Sequence, residues 1–165
     1  MASIFLIPIG ATLANELRSS QARDEIEAHG LVDCAASELS IQTVQPMPRD
    51  DRPSISVRLL NDGAACVLAD APVVEVRVPG EGWVRPTPFI VDGVVTNGPA
   101  WDGTFAPDTV AVMTVTATAA ADELRADALR LTLAGNGGRL VRDGLDFVVG
   151  DQVEISRFEA DTTDG

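Results

Sequence analysis

Four carboxylates, Asp143, Asp146, Asp151 and Glu154, fall within the stretch "RDGLDFVVGDQVEISRF" at residues 142–158. Carboxylates at that density suit two chemistries, cation binding and acid–base catalysis. Calcium needs roughly six to eight oxygens converging on one point. The apolar residues between the acids alternate, which is the period of a strand rather than of a ligating loop. Asp143-Gly144 reads as a turn, Leu145 to Val149 as a strand, Gly150-Asp151 as a second turn, and Val153 to Phe158 as the returning strand. That register puts Asp143 and Asp151 at opposite ends of the first strand and turns Glu154 away from Val153 and Ile155. The acids therefore read as the polar half of a β-hairpin, and no metal site is expected there.

The other candidates for chemistry are few. His29 is the one histidine, and Cys34 is the thiol nearest to it in sequence. Cys34 follows an expected helix C-terminus, whose partial negative charge opposes thiolate formation, so His29 reads as a residue favoured by the helix dipole. A single His excludes the usual His/Cys zinc site. No G-x-S-x-G elbow is present, and "GNGG" at 135–138 lacks the lysine of a phosphate loop. Asp50-Asp51 beside Pro53 reads as loop punctuation. Cys34 and Cys66 have no metal-ligand spacing; free buried thiols are the favoured reading and a disulfide the alternative. Trp83, Trp101, Phe89 and Phe105 could form a carbohydrate platform, but in a chain with so few aromatics core or interface packing is preferred. Trp101, in the turn-rich "NGPAWDG", is the better contact anchor. No catalytic residue, cofactor or metal ligand is expected.

The elements that must carry these residues fall into two parts. Residues 1–30 read as an apolar arm, "SIFLIPI", followed by a helix over about 13–29, with Thr12 as N-cap and Gly30 as the C-terminal glycine. Leu13, Leu17, Ala22 and Ile26 make a thin apolar stripe suited to docking. Residues 31–165 read as a β-domain with a short polar tail. "SIQTVQ", "SISVRLL", "VVEVRV", "FIV", "VAVMTVTAT", "LRLTLA" and "VEISRF" are β-branched or alternating runs separated by Gly-rich turns. The spacing predicts a mainly β fold, a single antiparallel β-sandwich or jelly-roll-like domain preceded by the arm and one α-helix. "VVEVRVPGEGWVRP" reads as a hairpin and "PFIVDGVVTNG" as another. "QPMPRDDRP" at 45–53 reads as a linker or a crossover between sheets, and "AAADELRADALR" as a helical turn or loop.

Composition narrows the function classes. With 25 acidic residues against 12 cationic ones, all of them Arg, the formal charge is −13. Phosphate-backbone binding draws on clustered Arg or Lys, and here the arginines are scattered singly along the sequence, so no nucleic-acid partner is expected. The first residues carry neither the basic start nor the apolar length of a signal peptide or membrane span.

The acidic stretch at 142–158 also resembles the G-x-D-[FY]-x-V…G-x-x-[IV] hairpin of appendage and fibre modules in tailed bacteriophages. Gly144, Asp146, Phe147, Val149, Gly150, Val153 and Ile155 carry the match, with the turn before the second glycine one residue shorter than in the phage pattern. The resemblance implies a non-enzymatic virion structural protein: a capsid decoration or cement protein, or the base of a head or tail fibre. Its partners would be other virion proteins and further copies of itself. On that reading Ile4, Phe5, Leu6 and Ile7 of the arm, Leu13 and Leu17 of the helix, and Trp101 make the partner contacts. The alternative is a carbohydrate- or receptor-binding β-module centred on Trp101.

Overall fold

The computed structural model describes residues 32–68, 70–91, 103–135 and 137–161, together with 20–22, 24 and 30. Residues 20–22 and 24 are helical, inside the helix expected at 13–29, and Gly30 has the φ of 85° expected of the glycine that follows it. The arm lies outside the described residues.

The fold is mainly β. Its strands in chain order are β1 (Leu39–Pro46), β2 (Ser54–Asn61), β3 (Cys66–Val67), β4 (Val73–Val78), β5 (Gly82–Val84), β6 (Thr87–Val91), β7 (Thr104–Phe105), β8 (Val110–Ala117), β9 (Glu123–Ala126), β10 (Ala128–Thr132), β11 (Arg139–Arg142), β12 (Phe147–Gly150), β13 (Gln152–Ser156) and β14 (Glu159–Ala160). All seven runs picked out by alternation are strands. The large sheet has the order β1-β2-β8-β13-β6, with β14 also on β8; a four-stranded sheet has the order β11-β10-β4-β5; β12-β9 and β3-β7 form two small pairs.

The core follows from strand alternation. Ile55, Val57 and Leu59 of β2, Met113 and Val115 of β8, and Val153 and Ile155 of β13 all point to one side of the large sheet. They meet Val74 and Val76 of β4, Leu129 and Leu131 of β10, and Phe147 and Val149 of β12 in one continuous apolar cluster. Sheets sharing a core through their inward faces is the arrangement a sandwich requires. In β1 a bulge between Ile41 and Thr43 re-phases the alternation, so Leu39 and Ile41 face the core before it and Val44 after it.

Several local expectations need correction. The β12 and β13 strands do not form a hairpin with each other. β12 pairs with β9, while β13 pairs antiparallel with β8 and parallel with β6, so the chain changes sheets at Gly150-Asp151. The Asp151 side chain accepts the Asp122 N–H at 2.8 Å, its own N–H donates to Asp122 O, and its carbonyl accepts the Thr87 N–H, both at 2.9 Å. The β6–β13 pair is also a parallel exception to the expected antiparallel pattern. "QPMPRDDRP" is no linker: it is the tip of the β1–β2 hairpin, closed by Arg49 and Arg52 with Asp50 and Asp51 at φ 49° and 60°. Asp tolerates that left-handed conformation, which two-residue hairpin turns demand. The helix-like "DELRA" is strand β9, because pairing with β12 overrides its local preference. The PGEG turn does join β4 to β5 as an antiparallel hairpin, whereas the expected partner of β6 beyond Asp92 lies outside the described residues.

Gly150 is required by space. A Cβ there would stand 2.6 Å from the Ala121 Cβ and 2.8 Å from the Ala117 Cβ, neither of which can swing away. Gly150→Ala is therefore expected to cost about 1–3 kcal/mol through overpacking, read as a lower midpoint in urea with an unchanged slope; a variant as stable as the parent would contradict the close approach.

Candidate functional site

Each of the four acids at 143–154 has its own partner on a different element. Asp143 pairs with Arg77 of β4 at 3.1 Å, and Asp146 takes a two-pronged hydrogen bond from Arg125 of β9 at 3.0 and 2.9 Å. Asp151 is held by the Asp122 N–H, and Glu154 lies 3.7 Å from Arg52. They are ties between separate parts of the fold rather than a converging ligand set. Among the described residues no group of three or more His, Cys, Asp or Glu side chains gathers as a metal would need.

Cys34 and Cys66 form a disulfide, with a Cα–Cα distance of 4.9 Å, which corrects the free-thiol reading. The signal is invisible in sequence because it depends on long-range pairing: Asp33 bridges Val67 in parallel, Val67 N–H donates to Val32 O at 2.8 Å, and Cys34 N–H donates to Val67 O at 3.0 Å. "GNGG" serves the same junction. Ala36 N–H donates to Gly137 O at 2.6 Å, and a Cβ on Gly137 would fall 2.7 Å from the Cys34 carbonyl. A cavity of about 40 Å³ lies here, between Asp33, Cys34, Val67, Leu68, Asp70, Leu133 and Ala134. Small-molecule sites usually run to roughly 300–1,000 Å³, so this one suits ordered water.

His29, Ile4, Phe5, Leu6, Ile7, Leu13, Leu17 and Trp101 all lie outside the described residues. Of the other aromatics, Phe105 is fully buried, and Phe89 is exposed on β6 beside Ile90. Trp83 is neither core nor open platform. It lies half-buried on the outer face of the four-stranded sheet, with the Arg130 guanidinium 4.3 Å from its ring centroid and that of Arg77 at 5.7 Å, within the range of cation–π attraction.

That outer face is the densest patch of side-chain chemistry in the described chain, and sequence reasoning missed it. Leu129, Leu131, Val74 and Val76 point inward, so alternation sends Arg130, Glu75 and Arg77 outward. The register sets Arg130 opposite both Val141 and Glu75, and Arg77 opposite Trp83. Arg130 grips Glu75 with two hydrogen bonds of 2.8 and 2.9 Å, and Arg77 binds Asp127 at 2.7 Å. The Arg130 hydrogen bond holds the Glu75 carboxyl below its ordinary value of 4.5; burial opposes this, and the charges of Arg130, Arg139 and Arg85 add to it. The available signal was the alternation of "VVEVRV" and "ALRLT", which places charge of opposite sign at facing positions.

No protein-family model, curated protein or solved structure matches this chain. Among the described residues, no helix is long and apolar enough to cross a membrane.

Because the folded-state pKa of Glu75 is lowered, its stabilisation is present above the unfolded value and disappears as pH falls through the folded one. Glu75→Gln should lower stability at pH 7 by about 1 kcal/mol, allowing for partial exposure. The difference from the parent should shrink below pH 4.5, where the parent's own carboxylate begins to protonate. Thermal melts at pH 7 and at pH 3 check this; an equal deficit at both would contradict the Arg130 contact.

Proposed function

We propose that this chain is a non-enzymatic structural protein of a tailed-phage virion, decorating or cementing a capsid or forming the base of a head or tail fibre. The reading rests on the stretch from Gly144 to Ile155, whose pattern resembles phage appendage modules. The matched glycines and apolar positions each serve the fold: Gly144 turns with φ 73°, Gly150 admits no side chain, and Phe147, Val149, Val153 and Ile155 are buried. In this chain the motif is a corner between sheets, so the likeness is one of sequence alone.

The disulfide supports the same reading. Disulfides persist in oxidising settings, virion surfaces among them, and are rare in the reducing cytoplasm. The particle's outer surface is where such a bond would act, after release from the cell. The mechanism is adhesive: Ile4, Phe5, Leu6 and Ile7, with Leu13 and Leu17, bury apolar area on a neighbouring protein, and repetition over a lattice converts modest contacts into avidity. Trp101 belongs to the same contact set.

The test is deletion of residues 1–9 in particles assembled from the proteins encoded beside this one. Incorporation, measured as the ratio of this chain to the major shell protein, should fall about tenfold or more, given that each buried aliphatic side chain is worth about 1.5–3 kcal/mol before ordering costs. Unchanged incorporation would remove the arm from the assembly role.

A further inference from the structure

Four of the 12 arginines, scattered in sequence, are gathered by the sheet register onto one face: Arg77 of β4, Arg85 just after β5, Arg130 of β10 and Arg139 of β11. Arg130 and Arg77 are committed to Glu75, Asp127 and Asp143. Arg85 and Arg139 are exposed and make no ion pair among the described residues. The same sheet carries half-buried Trp83 on β5 and the half-exposed Val141 on β11. Arginine and tryptophan around an apolar centre is the composition of a protein–protein hot spot. Glu75, Asp127 and Asp143 offset Arg77 and Arg130, which leaves Arg85 and Arg139 as the exposed cations of this face; the whole chain carries a net charge of −13, so these two guanidinia are opposite in sign to the molecule that bears them.

We infer that the outer face of the β5-β4-β10-β11 sheet docks onto the acidic end of a second copy of this chain. That end is the junction around the disulfide, where Asp33, Glu38, Asp62 and Asp70 are exposed and have no cationic partner among the described residues. Where the face of one copy meets the acidic end of the next and the contact is not returned, the interface is head-to-tail, the type that builds rings or open arrays. The inference deepens the structural reading above, on which it rests, by naming the surface through which copies join. Ionic strength sets the window. At very low salt the overall negative charge drives copies apart, and near 0.15 M, where the Debye length is about 8 Å, that repulsion is screened while contact pairs persist.

Sedimentation velocity of the full chain at 0.15 M salt tests it. The parent should self-associate, and both R85E/R139E and E38R/D70R, with circular dichroism unchanged, should shift to the monomer with at least about tenfold weaker association. A parent that stays monomeric overturns the proposal, and so does a monomer retained on heparin, which would assign the face to a polyanion of another class. Association that survives either charge reversal also overturns it. If that surviving association is lost on deleting residues 1–9, the structural reading stands and only this surface falls.

Discussion

The chain changes sheets between Gly150 and Asp151, and the rest of the architecture hangs on that crossing. One residue separates β12 from β13, yet β12 belongs with β9 and β13 lies between β8 and β6. No hairpin closes this step, so its geometry must come from elsewhere. Gly150 supplies the room, since Ala117 and Ala121 crowd the space a side chain would need. Asp151 supplies the fixing, by exchanging hydrogen bonds with Asp122 and accepting one from Thr87. Those bonds tie the crossing to the start of β9 on one side and of β6 on the other, so three strands take their starting points from one corner. β8 then carries the large sheet, with β2 on one edge and β13 and β14 on the other.

Arginine pins the strands in a chain with no lysine. Arg130–Glu75, Arg77–Asp127, Arg125–Asp146 and Arg58–Asp161 each join residues far apart in sequence. The planar guanidinium can donate to both carboxylate oxygens, which fixes strand register more firmly than an ammonium would. Exposed pairs of this kind contribute little stability singly. Their effect is to specify which strand lies beside which, over a core made almost entirely of aliphatic residues with Phe105, Phe147 and Phe158 among them. Two of these ties, Arg130–Glu75 and Arg77–Asp127, lie on the outer face of the four-stranded sheet.

Strand existence is legible in this sequence and strand pairing is not. "SISVRLL" and "VAVMTVTAT" announce themselves because alternation is a local property, and the same is true of "VVEVRV" with its PGEG turn. The stretch from Asp143 to Phe158 reads as two strands, which it contains, and as a hairpin, which it does not form. Alternation is identical whether consecutive strands pair with each other or with strands elsewhere. The Cys34–Cys66 bond, the β9 strand in "DELRA" and the Arg130–Trp83 stack share that cause: each depends on residues brought together across the fold. Asp50-Asp51 misleads for a different reason. Turn chemistry there is carried by aspartate at positive φ rather than by glycine, so the flanking prolines suggest a linker where the chain makes a hairpin. The partner-contact residues proposed in the arm, the helix and at Trp101 lie outside the described residues, and their assignment stays with the sequence.

The most direct measurement of the crossing at Gly150-Asp151 is the pattern of cross-strand nuclear Overhauser contacts in the labelled full chain. Residues 147–150 should show contacts to residues 123–126, and residues 152–156 to residues 115–117 and 87–91. Cross-strand contacts between 147–150 and 152–156 would mean that the two strands close a local hairpin, and the sheet crossing on which this fold is organised would not exist.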